Sequence, residues 1–237
     1  MNDCRNWQRI DFPFHVRLTA HMSTLLIATR NAHKVAEIQS ILGPTVNCCA
    51  LSVFSDAPTA IEDADSFAGN ALKKARTIAT WLDTIASLTR IDFILADDSG
   101  LEVDALDGAP GIHSARFAAL DLHTGNSSDA DNNAKLLRLL HEIPKERRSA
   151  RFHCAIALFP MAMTSTPLVF EGTCEGWIDF APRGKGGFGY DPLFIPAGYS
   201  ESFAELGEDV KSRISHRAMA LAKLSAALGK DGSLTIP

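Results

Sequence analysis

No run of apolar residues in this chain approaches the roughly 18 needed for a membrane-crossing helix, so no membrane partner is expected. Cysteine is scarce and arranged for neither of its usual structural uses. The five cysteines include the adjacent pair Cys48 and Cys49 but no CxxC and no Cys/His ladder, which argues against zinc and against a secreted disulfide framework. Positive charge is not in excess: 23 Lys and Arg stand against 28 Asp and Glu, a formal net charge of −5. A protein that coats nucleic acid needs clustered cations to release counterions, so a small-molecule partner is expected instead. The opening residues lack a signal-peptide pattern, and a reduced, cytoplasmic setting follows from these absences taken together.

What is present is an ordinary globular composition, 46% hydrophobic and 22% charged, in a chain long enough to bury a core without disulfides or structural metal. No internal repeat, low-complexity tract or marked linker interrupts it. Residues 1–21 show no clear period and precede Met22 and the apolar run TLLIAT. They read as a dispensable N-terminal extension, with 22–237 as one functional domain.

Hydrophobic periodicity predicts the elements. A strand over Thr24–Thr29 leads to a helix marked by Val35, Ile38 and Ile41/Leu42 and stopped by Gly43-Pro44. A longer helix starts near Ser66, with Phe67, Ala71, Ala75, Ile78 and Leu82 on one face. Ile91–Ala96 reads as a buried strand ending at Asp97-Asp98-Ser99-Gly100, which puts the acidic pair at a strand's carboxyl end. Asp129–His141 is helical in pattern. Arg151–Leu158 alternates as a strand, Pro167–Cys174 and Gly176–Phe180 look extended, and Leu193–Ile195 resumes an extended run after a glycine-rich loop. Ile214, Ala218, Leu221, Leu224 and Leu228 mark a last helix stopped by Gly229. Alternation early and clustered strands later predict an α/β protein with a mixed sheet.

Within this frame the residues offer four chemical motifs, each with a plainer reading beside it. Thr29-Arg30-Asn31-Ala32-His33-Lys34 lies between strand and helix, where backbone N–H groups and the helix dipole favour a phosphate; an ordinary cap by Asn31 with a solvated Lys34 is the alternative. Ala96–Gly100 holds two adjacent carboxylates able to bind a hard cation and to act as general base, or else to shape a turn. Gly184–Pro192 contains a formal G-x-G-x-x-G, but Tyr190-Asp191-Pro192-Leu193-Phe194 reads as extended and opposes the helix that a dinucleotide fingerprint requires. A loop presenting Phe188 to a base fits better, beside a plain hairpin. Lys211–Arg217 is a basic cluster opening the last helix: Lys211 suits phosphate, His216 and Arg217 a base edge, while Arg213 reads as solvated.

In order, ATRNAHK, SFAGNALKKAR, ADDSGLEVDALDGAPGIHSARFA, ARFHCAIAL, GKGGFGYDPLF and AELGEDVKSRISHRAMAL span essentially all of residues 24–228. This series resembles the inosine triphosphate pyrophosphatase family, the Ham1-like enzymes that hydrolyse non-standard purine nucleoside triphosphates. The resemblance implies an elongated α/β fold with a mixed twisted sheet and flanking helices, two lobes around a central substrate cleft, and a homodimer. It implies a Mg²⁺-dependent hydrolase that converts ITP, dITP or XTP to the monophosphate and pyrophosphate by attack at the α-phosphorus. Carried over by position, Thr29 to Lys34 and Lys74 face phosphate, Asp98 is base and metal ligand, and Glu62 is the second acidic ligand. Asp97 and Ser99 support the site, Phe188, Gly189, Tyr190 and Asp191 hold the base, and Lys211, His216 and Arg217 complete the pocket. Arg30 stands where many members have Gly, and Gly69 where many have Glu. Two other classes compete: a nucleotide-binding module without turnover, disfavoured by Asp97, Asp98 and Glu62, and a Maf-like pyrophosphatase for modified pyrimidines, disfavoured by the SHR and FGYD motifs.

Overall fold

The computed structural model describes residues 24–44, 46–85, 90–121, 125–161 and 166–227. The proposed extension 1–21, Met22, Leu228 and the Gly229 stop lie outside the described residues. A six-stranded mixed sheet runs in the order β2-β1-β3-β4-β5-β6. Its strands are β1 (Thr24–Ile27), β2 (Asn47–Ala50), β3 (Phe93–Val103), β4 (Ser149–Pro160), β5 (Leu168–Ile178) and β6 (Phe194–Pro196). β1 is parallel to β2 and β3, while β3 to β6 pair antiparallel. This is the mixed α/β sheet that the pattern predicted.

The helices begin and end where local chemistry satisfies their orphan backbone groups. In α1 (Ala32–Leu42) the Asn31 side chain accepts from the N–H of His33 at 2.9 Å and of Lys34 at 3.2 Å, and Gly43 with φ of 70° follows the last turn. In α2 (Phe67–Leu82) Ser66 is the N-cap, and Phe67, Ala71, Ala75, Ile78 and Leu82 form the buried face. In α3 (Asp129–Leu139) Ser128 accepts from the Asp131 N–H. Two short helices, α4 (Phe203–Leu206) and α5 (Glu208–Ile214), precede α6 (His216–Ala227).

Successive strand residues point to opposite faces, and the core divides accordingly. Ala71, Ala75 and Ile78 of α2 pack on Leu26, Ile94, Ala96, Ala155 and Ala157. On the other face, Ile38 and Leu42 of α1 and Ala220, Leu221 and Leu224 of α6 pack on Ile27, Leu95, Cys154, Ile156 and Leu158. β4 is therefore buried on both sides, and the alternation predicted for residues 151–158 marks which helix each side chain meets rather than an exposed face. A third cluster lies farther along the same long strands, where Leu101, Val103, Phe152 and Cys174 meet α3, β6 and α4 through Leu136, Phe194 and Phe203.

Three expectations need correction. β3 does not end at the acidic pair but continues to Val103, with Asp97 opposite Ile156 and Asp98 opposite Ala155; ladder pairing overrides the turn tendency of Asp-Asp-Ser-Gly. Residues 189–193 are turns rather than an extended continuation, and β6 starts only at Phe194. The last helix is broken at Ser215, whose hydroxyl accepts from the Ala218 N–H at 3.1 Å, so Lys211 sits on α5 while His216 and Arg217 open α6. Gly172 on β5 permits that placement, because a Cβ there would lie 2.2 Å from the His216 carbonyl oxygen.

Candidate active site

Asp97 and Asp98 occupy consecutive positions of β3 and so face opposite sides of the sheet. Asp97 points to the side of α1 and α6. Its carboxylate receives the Lys34 ammonium, Arg217 Nε at 3.1 Å, the Ser99 hydroxyl at 3.3 Å and the Cys154 thiol at 3.0 Å. Burial pushes the Asp97 carboxyl up, but the Arg217 and Lys34 cations outweigh it and hold the group well below the usual carboxylate range.

Asp98 points to the side of α2. Its Oδ1 accepts from Lys74 Nζ at 2.8 Å, and Lys74 also lies 3.3 Å from Glu62. Asp98 Oδ2 is buried without a hydrogen-bond partner. Burial raises the Asp98 carboxyl despite the pull of Lys74. The adjacent carboxylates therefore do not chelate together. Glu62 and Asp98 converge instead, across Lys74.

That convergence forms one wall of a cavity of about 590 Å³, which Thr29, Arg30, Asn31, Lys34, Lys74, Ser99 and Arg116 also line. The loop bearing Glu62 is held by Arg116, which donates to the Glu62 carbonyl at 3.2 Å, and by Asn70, which accepts from the Ala64 N–H at 3.0 Å. Arg30 crosses to the same loop, donating to the Ala57 carbonyl at 2.5 Å and to Thr59 Oγ1 at 3.3 Å. Gly69 is explained by its neighbours: a Cβ would lie 2.8 Å from Ala64 Cβ. The unpartnered Asp98 oxygen beside the Glu62 carboxylate suits a small hard cation, which typically takes one or two carboxylates and completes its shell with water and phosphate oxygens. Among the described residues no cluster of three or more His, Cys, Asp or Glu side chains is placed to hold a metal.

A second, narrower cavity of about 130 Å³ opens beside the first and shares Asn31, Lys34 and Ser99 with it. Its walls include Phe188, Gly189, Tyr190, Asp191, Lys211, His216 and Arg217. The loop is shaped at Gly187, where φ is 70° and a Cβ would lie 2.1 Å from Asp191 Oδ2. That oxygen accepts the Phe188 N–H at 2.8 Å and Lys211 Nζ at 2.6 Å. Lys211 thus lines this cavity and not the wide one. His216 stacks on Phe152 at 4.7 Å and its Nδ1 is buried without a partner; burial and the neighbouring Arg217 hold the imidazole well below its usual range, hence neutral.

The phosphate-loop residues divide in use. Asn31 is the α1 cap, the plainer of the two readings, but Lys34 is paired with Asp97 and not solvated. His33 stacks on Phe188, with centroids 5.4 Å apart. Ala32 opens α1 and lines neither cavity. Arg217 is almost wholly buried, donating to Asp97, to Ser99 Oγ at 2.9 Å and to Glu37. Its charge is committed largely to the protein, although its edge reaches the narrow cavity.

Sequence reasoning missed Glu37. On α1, one turn beyond Lys34, it ion-pairs both Arg217 and Lys211, the latter at 2.6 Å. It closes a buried network in which Glu37, Asp97 and Asp191 balance Lys34, Lys211 and Arg217. The available signal was its helical spacing from Lys34 on a face otherwise turned to the core. Buried ions persist only when paired, so each of these charges depends on the others.

Known proteins resemble this chain over most of its length. The model of the Ham1 family matches residues 25–227. The dITP/XTP pyrophosphatase of Geobacillus kaustophilus is 46% identical over 205 residues, covering 86% of this chain and 93% of the relative. That of Geobacter sulfurreducens is 44% identical over 212 residues, covering 89% and 99%. Among solved structures, a HAM1 protein from Coxiella burnetii superposes with a TM-score of 0.74 at 38% identity, covering 87% of this chain and 98% of that one.

Proposed function

The chain belongs to the Ham1 family, and from that premise we propose that it hydrolyses non-standard purine nucleoside triphosphates (ITP, dITP and XTP) to the nucleoside monophosphate and pyrophosphate, cleansing the nucleotide pool. The observation that carries this reading is the joined pair of cavities. A wide cationic one holds an unpartnered Asp98 oxygen, and a narrow one is lined by Phe188 and by donors. A triphosphate lies in the wide cavity, where Lys34 and Lys74 neutralise and orient it, and the base enters the narrow one.

Magnesium held by Glu62 and Asp98 would draw charge from the phosphate oxygens and so favour departure of pyrophosphate. Asp98 takes the proton of the water that attacks the α-phosphorus through the carboxylate oxygen not committed to the cation, which Lys74 frees when it turns to phosphate. Lys74, shared between Asp98 and Glu62, keeps the two like charges together when no cation is bound and turns to phosphate when one is. Asp97 and Ser99 act behind the site by fixing Arg217.

Base choice follows from donors. Lys211 and Arg217 only donate, so a 6-oxygen is accommodated and a 6-amino group meets a like partner. Rejection can be large, because a wrong base leaves buried groups unpaired. A homodimer, a cytoplasmic setting and the absence of nucleic-acid or membrane partners complete the proposal. The free Cys48, Cys49, Cys154 and Cys174 accord with a reduced compartment, and no described helix is long and apolar enough to cross a membrane.

The test is pyrophosphate release from ITP, dITP, XTP, GTP and ATP, with Mg²⁺ and after chelation. The reading requires metal-dependent release from the first three, well above that from ATP. Equal rates on all five, or release undiminished by chelation, would contradict it.

A further inference from the structure

The cationic side chains that border the wide cavity, Arg30, Lys34, Lys74 and Arg116, are not equally free. Lys34 is paired with Asp97, and Lys74 lies 2.8 Å from Asp98 and 3.3 Å from Glu62, so the charge of each lysine is already met by carboxylates. The arginines differ. Arg30 donates to the Ala57 carbonyl at 2.5 Å and to Thr59 Oγ1 at 3.3 Å, and Arg116 donates to the Glu62 carbonyl at 3.2 Å. Every one of these acceptors is neutral, and among the described residues neither guanidinium has a carboxylate partner. A carbonyl satisfies a donor without cancelling its charge. The two arginines come from separate elements, Arg30 from between β1 and α1 and Arg116 from the short 3₁₀ turn Gly111–Arg116, yet they converge on one segment, residues 57–62. Two uncompensated positive charges therefore border one cavity, an arrangement that concentrates an anion there. Donors remain for it as well: a guanidinium has five N–H groups in a fork that matches phosphate, and the bonds above use two of Arg30's and one of Arg116's.

We propose that Arg30 and Arg116 form an anion seat that binds the phosphate chain whether or not a cation is present, whereas Lys74 is free for phosphate only once a cation takes its place at Asp98 and Glu62. The proposal rests on the triphosphate reading above but concerns the phosphates alone. It adds Arg116 to the substrate-binding residues and gives the two kinds of cation different parts: the arginines capture the anion, and Lys74 engages it with the metal.

The probe is inorganic pyrophosphate, titrated calorimetrically into the full chain with a chelator present, so that neither a base nor a cation takes part. The unaltered chain is expected to bind it, and Arg30→Ala and Arg116→Ala are each expected to raise the dissociation constant about tenfold, in line with one hydrogen bond to a charged group. Arg116→Lys keeps the charge without the fork and should recover part of the loss. Lys73→Ala is the control. Lys73 holds the adjoining Asp63 at 2.5 Å but does not border the cavity, and an exposed pair of this kind carries little energy, so binding should stay within about twofold. With Mg²⁺ and ITP or ATP, the alanine variants should raise KM for both nucleotides by one factor and leave the preference between them unchanged. An equal loss in Lys73→Ala would show that the arginines matter only through placement of the segment and would overturn the proposal. So would absence of binding to the unaltered chain under chelation, unweakened binding by both alanine variants, or a shifted preference between ITP and ATP. Failure of the unaltered chain to release pyrophosphate from ITP would remove the purine reading, while metal-free binding lost in the alanine variants would still support the seat. An active parent whose alanine variants bind pyrophosphate normally would overturn this proposal alone.

Discussion

Asp97 and Asp98 are neighbours in one strand, yet the two faces of the sheet make different groups of them. Asp97 is surrounded: Arg217, Lys34, Ser99 and Cys154 all reach it, and no lone pair is left over for chemistry. Asp98 has one partner, Lys74, and one buried oxygen with none. Both are buried, so burial does not separate them. What separates the two carboxylates is how many of their hydrogen bonds the protein has already made, which follows from the direction each side chain takes out of the strand.

The comparison is broken most severely by removing the saturated partner. Asp97→Ala leaves Arg217 and Lys34 buried with a charge lost, a defect that costs about 3–5 kcal/mol. At roughly 2–4 °C per kcal/mol for a chain of this size, calorimetry should show a fall on the order of ten degrees. An unchanged melting temperature would mean that the buried network does not hold α1 and α6 to the sheet.

Acid sharpens the contrast, because the two groups have opposite signs. The folded Asp97 carboxyl lies below its unfolded value, so its contribution is present at neutral pH and is lost as pH falls below the ordinary carboxylate range through the folded value. The folded Asp98 carboxyl lies above its unfolded value, so it favours the fold at low pH and that contribution is lost as pH rises. Asp98→Asn should accordingly melt at or above the parent at neutral pH, with the gap closing as pH is lowered. A large destabilisation at neutral pH would show Asp98 to be a second structural anchor.

On the proposed function, Glu62→Gln is expected to weaken the cation site on the Asp98 side. The Mg²⁺ concentration for half-maximal rate should rise by about tenfold, read from a metal titration, and an unchanged requirement would place the ligand elsewhere. The smallest effect belongs to Ser99→Ala, which removes the bond from Arg217 and the longer one to Asp97 while the Arg217 pairs with Asp97 and Glu37 remain. Its cost should be about 1 kcal/mol in a denaturant midpoint series; a loss as large as that of Asp97→Ala would make Ser99 an equal member of the network.

Much of the fold was legible because caps and apolar spacing are local. Asn31, Gly43 and Ser66 bound α1 and α2 as the pattern predicted. The continuation of β3 was not legible, because Asp-Asp-Ser-Gly has turn chemistry and only pairing with β4 holds it extended. β2 is four residues long and shows no alternation, so it carried no signal. The ordered motifs singled out most of the residues that line the two cavities, but not how they are grouped. Which face Asp97 takes, that Lys211 joins Asp191, and that Glu37 bridges two cations all depend on contacts between segments distant in sequence. On α3, Asn132 and Asn133 are buried as well as Leu136, which the apolar spacing of that segment did not announce.

The proposed function makes Asp98, and not its neighbour, the group that moves the proton of the attacking water. The most direct measurement is ITP turnover at saturating Mg²⁺ by Asp98→Asn, with nucleotide binding measured calorimetrically on the same preparation. Asp98→Asn should retain fold and nucleotide affinity with kcat lowered by about 10²–10⁴, the contribution of a general base. Turnover above a tenth of the parent rate, in a variant that binds ITP normally, would contradict it.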